Sequence, residues 1–208
     1  MDIDFELHKY NVSRETIQKL KDFVSILHDW NMKMNLVSKN SMEDVWSRHV
    51  LDSLQLIEYL PHNAKILVDI GSGAGFPGVV LAVAMQKKFP AAQIVLVESI
   101  TKKTVYLNDV CQKLKLTNVK IENARVENIV FKNVDVITAR AVAAMDVLCG
   151  YAYKIGGKET EMLFLKGRSY AQEDAMAKQK WRYETEVFPN KYAEGGVIMK
   201  LRNLRKLK

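Results

Sequence analysis

The sequence contains few cysteines and no long hydrophobic run, and each shortage excludes a class of protein. The two cysteines among its 208 residues, Cys111 and Cys149, lack CxxC spacing and fall in helix-like segments. Such cysteines are typical of small core residues in a reducing compartment, which argues against a structural metal site. No apolar stretch reaches the ~18 residues of a membrane helix, and the acidic residues 1–6 resemble neither a secretory signal nor a transit peptide. We therefore expect a cytoplasmic protein without a bound metal or a membrane segment.

The excess of positive charge is unevenly distributed along the sequence. The formal net charge is +7, although residues 1–30 carry four basic and six acidic side chains. The last nine residues, 200–208, contain five basic side chains and no acidic one. This imbalance suits a polyanionic partner such as nucleic acid, and a charged, solubilising surface is the alternative.

The sequence also lacks internal repeats and low-complexity linkers. Its predicted secondary structure divides it into an N-terminal helical part and a part in which strands and helices alternate. Apolar residues at helical spacing predict an amphipathic helix over 14–32, with Ser13 as its N-cap, and a second helix over 49–59. Both precede any strand-like segment. Residues 1–62 are therefore predicted to form an N-terminal helical cap packed on the rest of the chain.

From Lys65 onward, strand-like and helical segments alternate, which predicts an α/β fold with a mostly parallel sheet and helices on both faces. The last two strand-like segments are joined by too few residues for a crossover helix, so they should pair antiparallel. Residues 63–208 are thus predicted to form a seven-stranded, Rossmann-like domain of the S-adenosylmethionine-dependent methyltransferase type. The predicted strands are 65–70, 93–97, 118–122, 134–138, 161–166, 183–188 and 196–201, and the predicted helices are 76–88, 101–115, 142–153 and 171–180.

One loop carries the strongest functional signal. An apolar strand ends at Asp69 and opens into Gly71, Gly73 and Gly75, after which residues 79–85 are predicted to be helical. Glycine lets a ligand approach bare backbone, because no Cβ stands in the way. The loop therefore predicts a nucleotide-like cofactor, and its structural alternative is a tight turn.

Neighbouring residues narrow the class of cofactor. A dinucleotide-binding loop has the pattern GxGxxG, whereas Phe76 stands where its third glycine would be. Asp69 would repel a pyrophosphate but can serve the cationic S-adenosylmethionine. Glu98, at the end of the second predicted strand, can accept hydrogen bonds from both ribose hydroxyls. S-adenosylmethionine is therefore favoured over a dinucleotide; the alternatives are a capping role for Asp69 and a solvated charge for Glu98.

Further short motifs follow one another in order along most of the chain. They are Trp30-Asn31, Asn35-Leu36, Arg48-His49, Asp52-Ser53-Leu54, the glycine loop up to Gly78, Glu98-Ser99, Lys102-Lys103, Arg125-Val126-Glu127, Thr138 to Ala141 and Leu165-Lys166-Gly167. In order and spacing they resemble the bacterial 16S rRNA guanine-N7 methyltransferases of the RsmG (GidB) family. The departures are small, since Val126 stands where many members carry Ala, and Glu98 where others carry Asp.

The resemblance implies methylation of a guanine in the 530 loop of 16S rRNA, near the decoding site, with S-adenosyl-L-methionine as the methyl donor. It also implies cofactor contacts at Gly71, Phe76, Glu98, Ser99, Ile100, Val126, Glu127 and Arg140.

The chemistry of guanine N7 sets what such a site must do. N7 carries a lone pair and no proton at neutral pH, so it can attack the sulfonium methyl without a general base, and the site mainly aligns the reactants. We hypothesise that Arg140, Arg125 and Lys166 line the opening through which the base enters, with Asn35 and His49 closing it from the cap. The structural alternatives are a core histidine, a helix terminator at Asn35 and a sheet-edge lysine.

The expected partner is 16S rRNA, free or in the small ribosomal subunit, and the protein is expected to be a monomer. Lys102, Lys103 and the basic tail 200–208 should hold phosphates, unless the tail is a frayed terminus. The alternatives are a methyltransferase that acts on another substrate and a non-catalytic RNA- or ribosome-binding protein. Phe76 and Asp69 disfavour a NAD-linked dehydrogenase.

Overall fold

The computed structural model describes residues 2–131 and 133–207. Its strands are β1 (Ile66–Ile70), β2 (Gln93–Glu98), β3 (Val119–Asn123), β4 (Val136–Arg140), β5 (Glu161–Lys166), β6 (Trp181–Pro189) and β7 (Val197–Lys206). They form one sheet in the order β3-β2-β1-β4-β5-β7-β6. Strands β1 to β5 are parallel, and β7 is antiparallel to both β5 and β6. This confirms the predicted α/β fold with its C-terminal antiparallel hairpin.

The central strand β1 shows why this sequence forms a parallel sheet. Its side chains Leu67, Val68 and Ile70 are all buried, because helices cover both faces of the sheet, and a strand in that position is apolar throughout. The carboxyl ends of parallel strands share one edge of the sheet, where ligands of such folds bind. That edge brings Glu98 of β2 and Arg140 of β4 to the glycine loop after β1.

Eight α-helices are found among the described residues: α1 (Ile3–His8), α2 (Arg14–Asn31), α3 (Lys39–Glu43), α4 (Asp52–Leu54), α5 (Gly78–Lys88), α6 (Thr101–Lys113), α7 (Met145–Ile155) and α8 (Tyr170–Ala177). Helix α7 begins later than the predicted residue 142 and so leaves a link, residues 141–144, after β4. None of the described helices combines the length and the hydropathy required to cross a membrane.

The predicted helix over 49–59 is instead three short segments in succession. A π-helical turn (Trp46–Leu51) leads into α4, which is followed by a 3-10 turn (Gln55–Tyr59). Residues 49–57 are all buried, polar side chains included. Packing from every side, rather than one apolar stripe, therefore determines the backbone of this segment, and the sequence pattern could not show the change of helix type.

The cap packs against the sheet domain through a shared core. Leu20, Phe23 and Leu27 of α2 belong to the same hydrophobic cluster as Val80 of α5 and Tyr106 of α6. The indole nitrogen of Trp30 donates a hydrogen bond to Asp109 over 2.7 Å. The division at residue 62 stays a prediction, although the two parts are joined by continuous apolar packing.

Residues 200–206 of the basic tail belong to a strand. Strand β7 continues to Lys206, and the side chains of Lys200 and Arg202 each lie 2.8 Å from a carboxylate oxygen of Glu161. Because Val197 pairs with Lys166 and Leu201 with Met162, the chain after Leu201 runs away from the carboxyl ends of the parallel strands. The end of β7 therefore lies away from the edge of the sheet that bears Lys102 and Lys103, and phosphate binding by either group stays a prediction.

Candidate active site

The glycine loop adopts a backbone that other residues rarely adopt. Gly71, Gly73 and Gly75 have φ angles of +66°, +54° and +95°, which lie in the region that favours glycine. A Cβ added to Gly71 would lie 2.7 Å from Cγ2 of Val142. The loop therefore needs glycine both for its conformation and for the close approach of a neighbouring side chain.

Asp69 lies beneath this loop and not on its surface. Its side chain is fully buried, and its carboxylate accepts hydrogen bonds from the Thr138 hydroxyl (2.7 Å) and the Gly78 amide (3.2 Å). Burial raises the pKa of Asp69 to about 6. The carboxylate thus ties β1 to β4 and to the first residue of α5. This placement favours the capping interpretation over direct contact with a cationic cofactor.

Glu98 links the end of β2 to the glycine loop. Its carboxylate oxygens accept hydrogen bonds from the Gly73 amide (3.0 Å) and the Ile100 amide (2.8 Å), and the residue is 6% exposed. A carboxylate oxygen has two acceptor positions, so each oxygen can still accept a bond from a ribose hydroxyl. The charge is therefore built into the loop rather than solvated.

A depression of about 120 Å³ opens beside Glu98. It brings together many of the residues predicted to hold the cofactor, and its lining includes Gly71, Glu98, Ser99, Val126 and Glu127. Arg125, predicted to line the opening for the base, also lies here. Bare backbone, a ribose-compatible carboxylate and the apolar Val126 fit a nucleoside that carries no phosphate.

A larger cleft of about 880 Å³ lies on the other side of the link 141–144. Four basic side chains line it, namely Arg48, Arg140, Lys166 and Arg168. Arg140 is held in place by two neighbours, because its Nε lies 3.3 Å from Asp52 and its Nη2 hydrogen-bonds to Nδ1 of His49. Its guanidinium also lies 5.8 Å from the centre of the Phe76 ring.

His49 is held as a neutral ring behind Arg140. It stacks on Phe76 at 4.8 Å between ring centres. Burial, with the positive charges of Arg140 and Arg48, lowers the pKa of His49 to about 3. Because an arginine only donates hydrogen bonds, Nδ1 must accept, and the proton of the neutral ring sits on Nε2. Burial and the bond to Arg140 make His49 a weak base that supports the guanidinium.

Each carboxylate that lines the cleft is paired with a cation. Asp52 pairs with Arg140, Glu173 with Lys166 at 2.5 Å, and Glu194 with Arg168 at 3.1 Å. Burial is outweighed by hydrogen bonds from Lys166 and Ser169, which lower the pKa of Glu173, whereas burial raises the pKa of Asp52 although Arg140 opposes it. The cleft therefore offers positive charge and hydrogen-bond donors to a ligand.

Known proteins are similar to this chain in sequence and in fold. The family model described as rRNA small subunit methyltransferase G matches residues 16–195. A protein of Cereibacter sphaeroides named ribosomal RNA small subunit methyltransferase G is 39% identical over 198 residues, which cover 95% of this chain and 96% of that protein. This chain belongs to the ribosomal RNA small subunit methyltransferase G family.

Solved structures of lower sequence identity have a similar fold. A SAM-dependent methyltransferase from Aquifex aeolicus has a TM-score of 0.57 at 13% identity and covers 72% of this chain and 88% of its own. TYW2 of M. jannaschii, solved in complex with AdoMet, has a TM-score of 0.59 at 16% identity, with coverage of 85% and 80%. The predicted family, fold and cofactor, S-adenosylmethionine, are thus confirmed.

Some residues of the family motifs lie away from the cleft. Asn35 is exposed and lines a separate hollow with Met32 and Met42, so it does not close the opening beside Arg140. The side-chain oxygen of Asn31, Oδ1, accepts hydrogen bonds from the backbone amides of Leu36 (2.8 Å) and Val37 (2.9 Å). These two bonds stabilise the turn after α2. Phe76 is buried against Phe23 and His49, which places it under the site as a support.

The sequence alone did not identify the network behind Arg140. Asn190, in the turn between β6 and β7, donates a hydrogen bond to Asp52 over 2.5 Å. The side-chain amide of Gln55 donates to both Asp52 (3.2 Å) and Asn190 (2.9 Å). Three polar residues within an apolar stretch, Asp52, Ser53 and Gln55, are the only local signal. Nothing in the sequence connects them with a turn so far along the chain.

Proposed function

We propose that this protein transfers a methyl group from S-adenosylmethionine to N7 of a guanine in the 530 loop of 16S rRNA, by direct attack without a general base. The observation that carries the proposal is the pairing of every cleft carboxylate that the structure describes with a cation. A base amine or a ribose hydroxyl must lose a proton on methylation, so a site for either needs a proton acceptor. Guanine N7 needs none, and the electrostatics of the cleft suit it.

The cofactor is proposed to lie along the glycine loop, with its ribose at Glu98. Ser99 and Ile100 follow Glu98 at the same edge of the sheet, and Ser99, Val126 and Glu127 line the depression. When bound, the cofactor supplies an electrophilic methyl group on a sulfonium. The protein fixes the direction from which the base approaches that methyl, which is catalysis by positioning.

Arg140 is proposed to orient the base. Methylation leaves the guanine positively charged, so a guanidinium above N7 would oppose the reaction. A guanidinium in the plane of the base can instead donate to O6, or to a neighbouring phosphate. The implied cofactor contact of Arg140 is then made by its backbone, since β4 ends next to β1 at the carboxyl edge of the sheet.

The roles that we propose for Arg125 and Lys166 differ from the hypothesis that both line the opening for the base. Arg125 lies in the cofactor depression, so we propose that it contacts the cofactor side or a phosphate near it. Lys166 lines the cleft, but its ammonium is already bound to Glu173. The protein is further proposed to act as a cytoplasmic monomer whose residues 1–62 form a cap on residues 63–208.

Transfer of labelled methyl from S-adenosylmethionine tests the proposal. We expect label in 16S rRNA, presented naked or as the small subunit, at N7 of one guanine of the 530 loop, and we expect cells that lack the protein to lose that modification. Label at another nucleotide or on a ribosomal protein would support a methyltransferase of different specificity. Binding to the subunit with no label in any substrate would support the non-catalytic alternative.

A further inference from the structure

The link between β4 and α7, residues 141–144, separates the two cavities of the site. Val142 lines both the depression and the cleft, and no other described residue does so. The preceding Ala141 has a φ angle of +54°, a conformation that L-residues with a side chain rarely adopt. The link is therefore held in a strained shape, with Val142 standing between the proposed positions of cofactor and base.

Val142 rests directly on the glycine loop. Its two methyl carbons lie 2.7 and 3.1 Å from the position that a Cβ on Gly71 would take. The depression beside it measures about 120 Å³, whereas small-molecule sites typically measure about 300–1,000 Å³. Val142 thus takes up space next to the loop and limits how far a ligand extends from the depression toward the cleft.

Two side chains, Lys166 of β5 and Glu173 of α8, hold this link in place. The ammonium of Lys166 donates to the carbonyl oxygen of Ala143 over 3.1 Å, and the carboxylate of Glu173 accepts from the Met145 amide over 3.1 Å. The N-cap residue of α7, Ala144, has no side chain that could accept that bond. Glu173 therefore serves as the missing cap, and its negative charge suits a helix N-terminus.

The pair is arranged to hold the link rather than to meet a ligand. Lys166 and Glu173 lie 2.5 Å apart, and the side chain of Lys166 is only 9% exposed. The Ser169 hydroxyl donates to the other oxygen of Glu173 over 2.8 Å. A lysine that is buried to this extent and bonded to a carboxylate and a carbonyl has little left to offer a phosphate.

We propose that Val142 sets the distance between cofactor and base, and that Lys166 and Glu173 are positioning residues that keep Val142 at that distance. The proposal rests on the proposed methyl transfer, because it assigns these residues a part in that reaction. It also replaces the hypothesis that Lys166 itself meets the base.

Two variants of the pair test the positioning role. Lys166→Met and Glu173→Gln should each lower kcat on the small subunit by roughly 10- to 100-fold, since a misplacement of ~1 Å can cost ~10²-fold. The KM for the subunit and the calorimetric Kd for S-adenosylmethionine should change by less than about threefold. Lys178→Met is the matched control, because the exposed Lys178, the C-cap residue of α8, pairs with a different carboxylate of that helix, Asp174. Thermal unfolding of each variant verifies that it is folded.

The salt dependence of RNA binding distinguishes positioning from phosphate contact. A lysine that contacts a phosphate contributes about one to the slope of log K against log salt, and its loss lowers the slope by that amount. We expect the slope of Lys166→Met to equal that of the wild type. A slope lower by about one, with wild-type kcat in Glu173→Gln, would overturn the proposal.

Truncation of Val142 gives the most specific test, because the affinity for S-adenosylmethionine should not fall while kcat should. Val142→Ala should bind S-adenosylmethionine at least as tightly as the wild type, since it leaves more room at Gly71, while kcat falls. The double variant Val142→Ala/Glu173→Gln should lose no more than the worse single variant. Additive losses would mean that Glu173 does not act through Val142. A wild-type protein that labels no RNA would overturn the proposed function and this inference with it.

Discussion

The depression and the cleft adjoin at Val142, but they are built from different parts of the chain. The depression is formed mainly by residues at the ends of β1, β2 and β3, where the Glu98 carboxylate binds the backbone amides of Gly73 and Ile100. The cleft is built by residues from four separate segments, 48–52, 140–144, 165–168 and 190–196, and by Glu173 of α8. A site built from backbone is sensitive mainly to changes at its glycines. A site built from mutually paired side chains should fail when one partner is removed.

Arg140 offers the largest expected effect. In Arg140→Ala we expect kcat/KM on the small subunit to fall by roughly 10²- to 10³-fold, the usual loss when one aligned donor is removed from an active site. Affinity for S-adenosylmethionine should change by less than about threefold, because the Arg140 side chain lines the cleft and not the depression. Methyl transfer and calorimetry on the same preparation measure both quantities.

A second variant separates loss of the Arg140 side chain from destabilisation by its unpaired partner, Asp52. Removal of Arg140 leaves the buried Asp52 without its cation, and an unpaired buried charge destabilises a protein by about 3–5 kcal/mol. Arg140→Ala/Asp52→Asn removes that charge and should recover most of the thermal stability but none of the transfer. Wild-type turnover in either folded variant would take Arg140 out of the site.

Asp69, beneath the depression, should make stability depend on pH. Its pKa is about 6 in the folded protein against 3.8 as an ordinary aspartate, so the folded state holds this proton longer than the unfolded state. The contribution of Asp69 therefore becomes less favourable as pH rises from ~4 to ~6, by about 3 kcal/mol in full, and is constant above that.

Asp69→Asn isolates this effect, because asparagine does not titrate and can still accept from Gly78 while donating to the Thr138 hydroxyl. Chemical unfolding of both proteins between about pH 5 and pH 7 should show the variant gaining roughly 1 kcal/mol relative to the wild type. A difference that stays constant across this range would mean that Asp69 is ionised throughout.

Gly71 tests whether the depression depends on bare backbone. Gly71→Ala should weaken S-adenosylmethionine binding by roughly tenfold, since a φ of +66° costs an L-residue about 1–2 kcal/mol and the new Cβ would press on Val142. Gly167→Ala is the control, because an added Cβ there would meet no described atom within 4 Å. Equal affinities for the two variants in calorimetry would show that the loop tolerates a side chain.

The same contrast explains which parts of the site could be predicted from the sequence. Asp69, the three glycines and Glu98 follow strands whose apolar pattern is plain, and parallel strands bring their carboxyl ends together. Asp52 and Asn190 meet only because a cap segment packs against a hairpin turn 138 residues further along the chain. The paired state of Lys166 depends likewise on the course of α8. Contacts of this kind arise from tertiary packing and leave no pattern in the local sequence.

Two exposed arginines, Arg48 in the cap and Arg205 near the end of β7, test where the RNA lies. Arg48 is exposed at the rim of the cleft, whereas Arg205 is exposed on β7, beyond Arg202 and its partner Glu161. Arg48→Gln should lower the slope of log K against log salt for small-subunit RNA by roughly 0.7 to 1, the contribution of one phosphate contact. Arg205→Gln carries the same change of charge and should leave the slope unaltered. Binding titrations at several salt concentrations measure both slopes. A decrease for Arg205→Gln equal to that for Arg48→Gln would mean that the RNA extends along the hairpin to the end of β7.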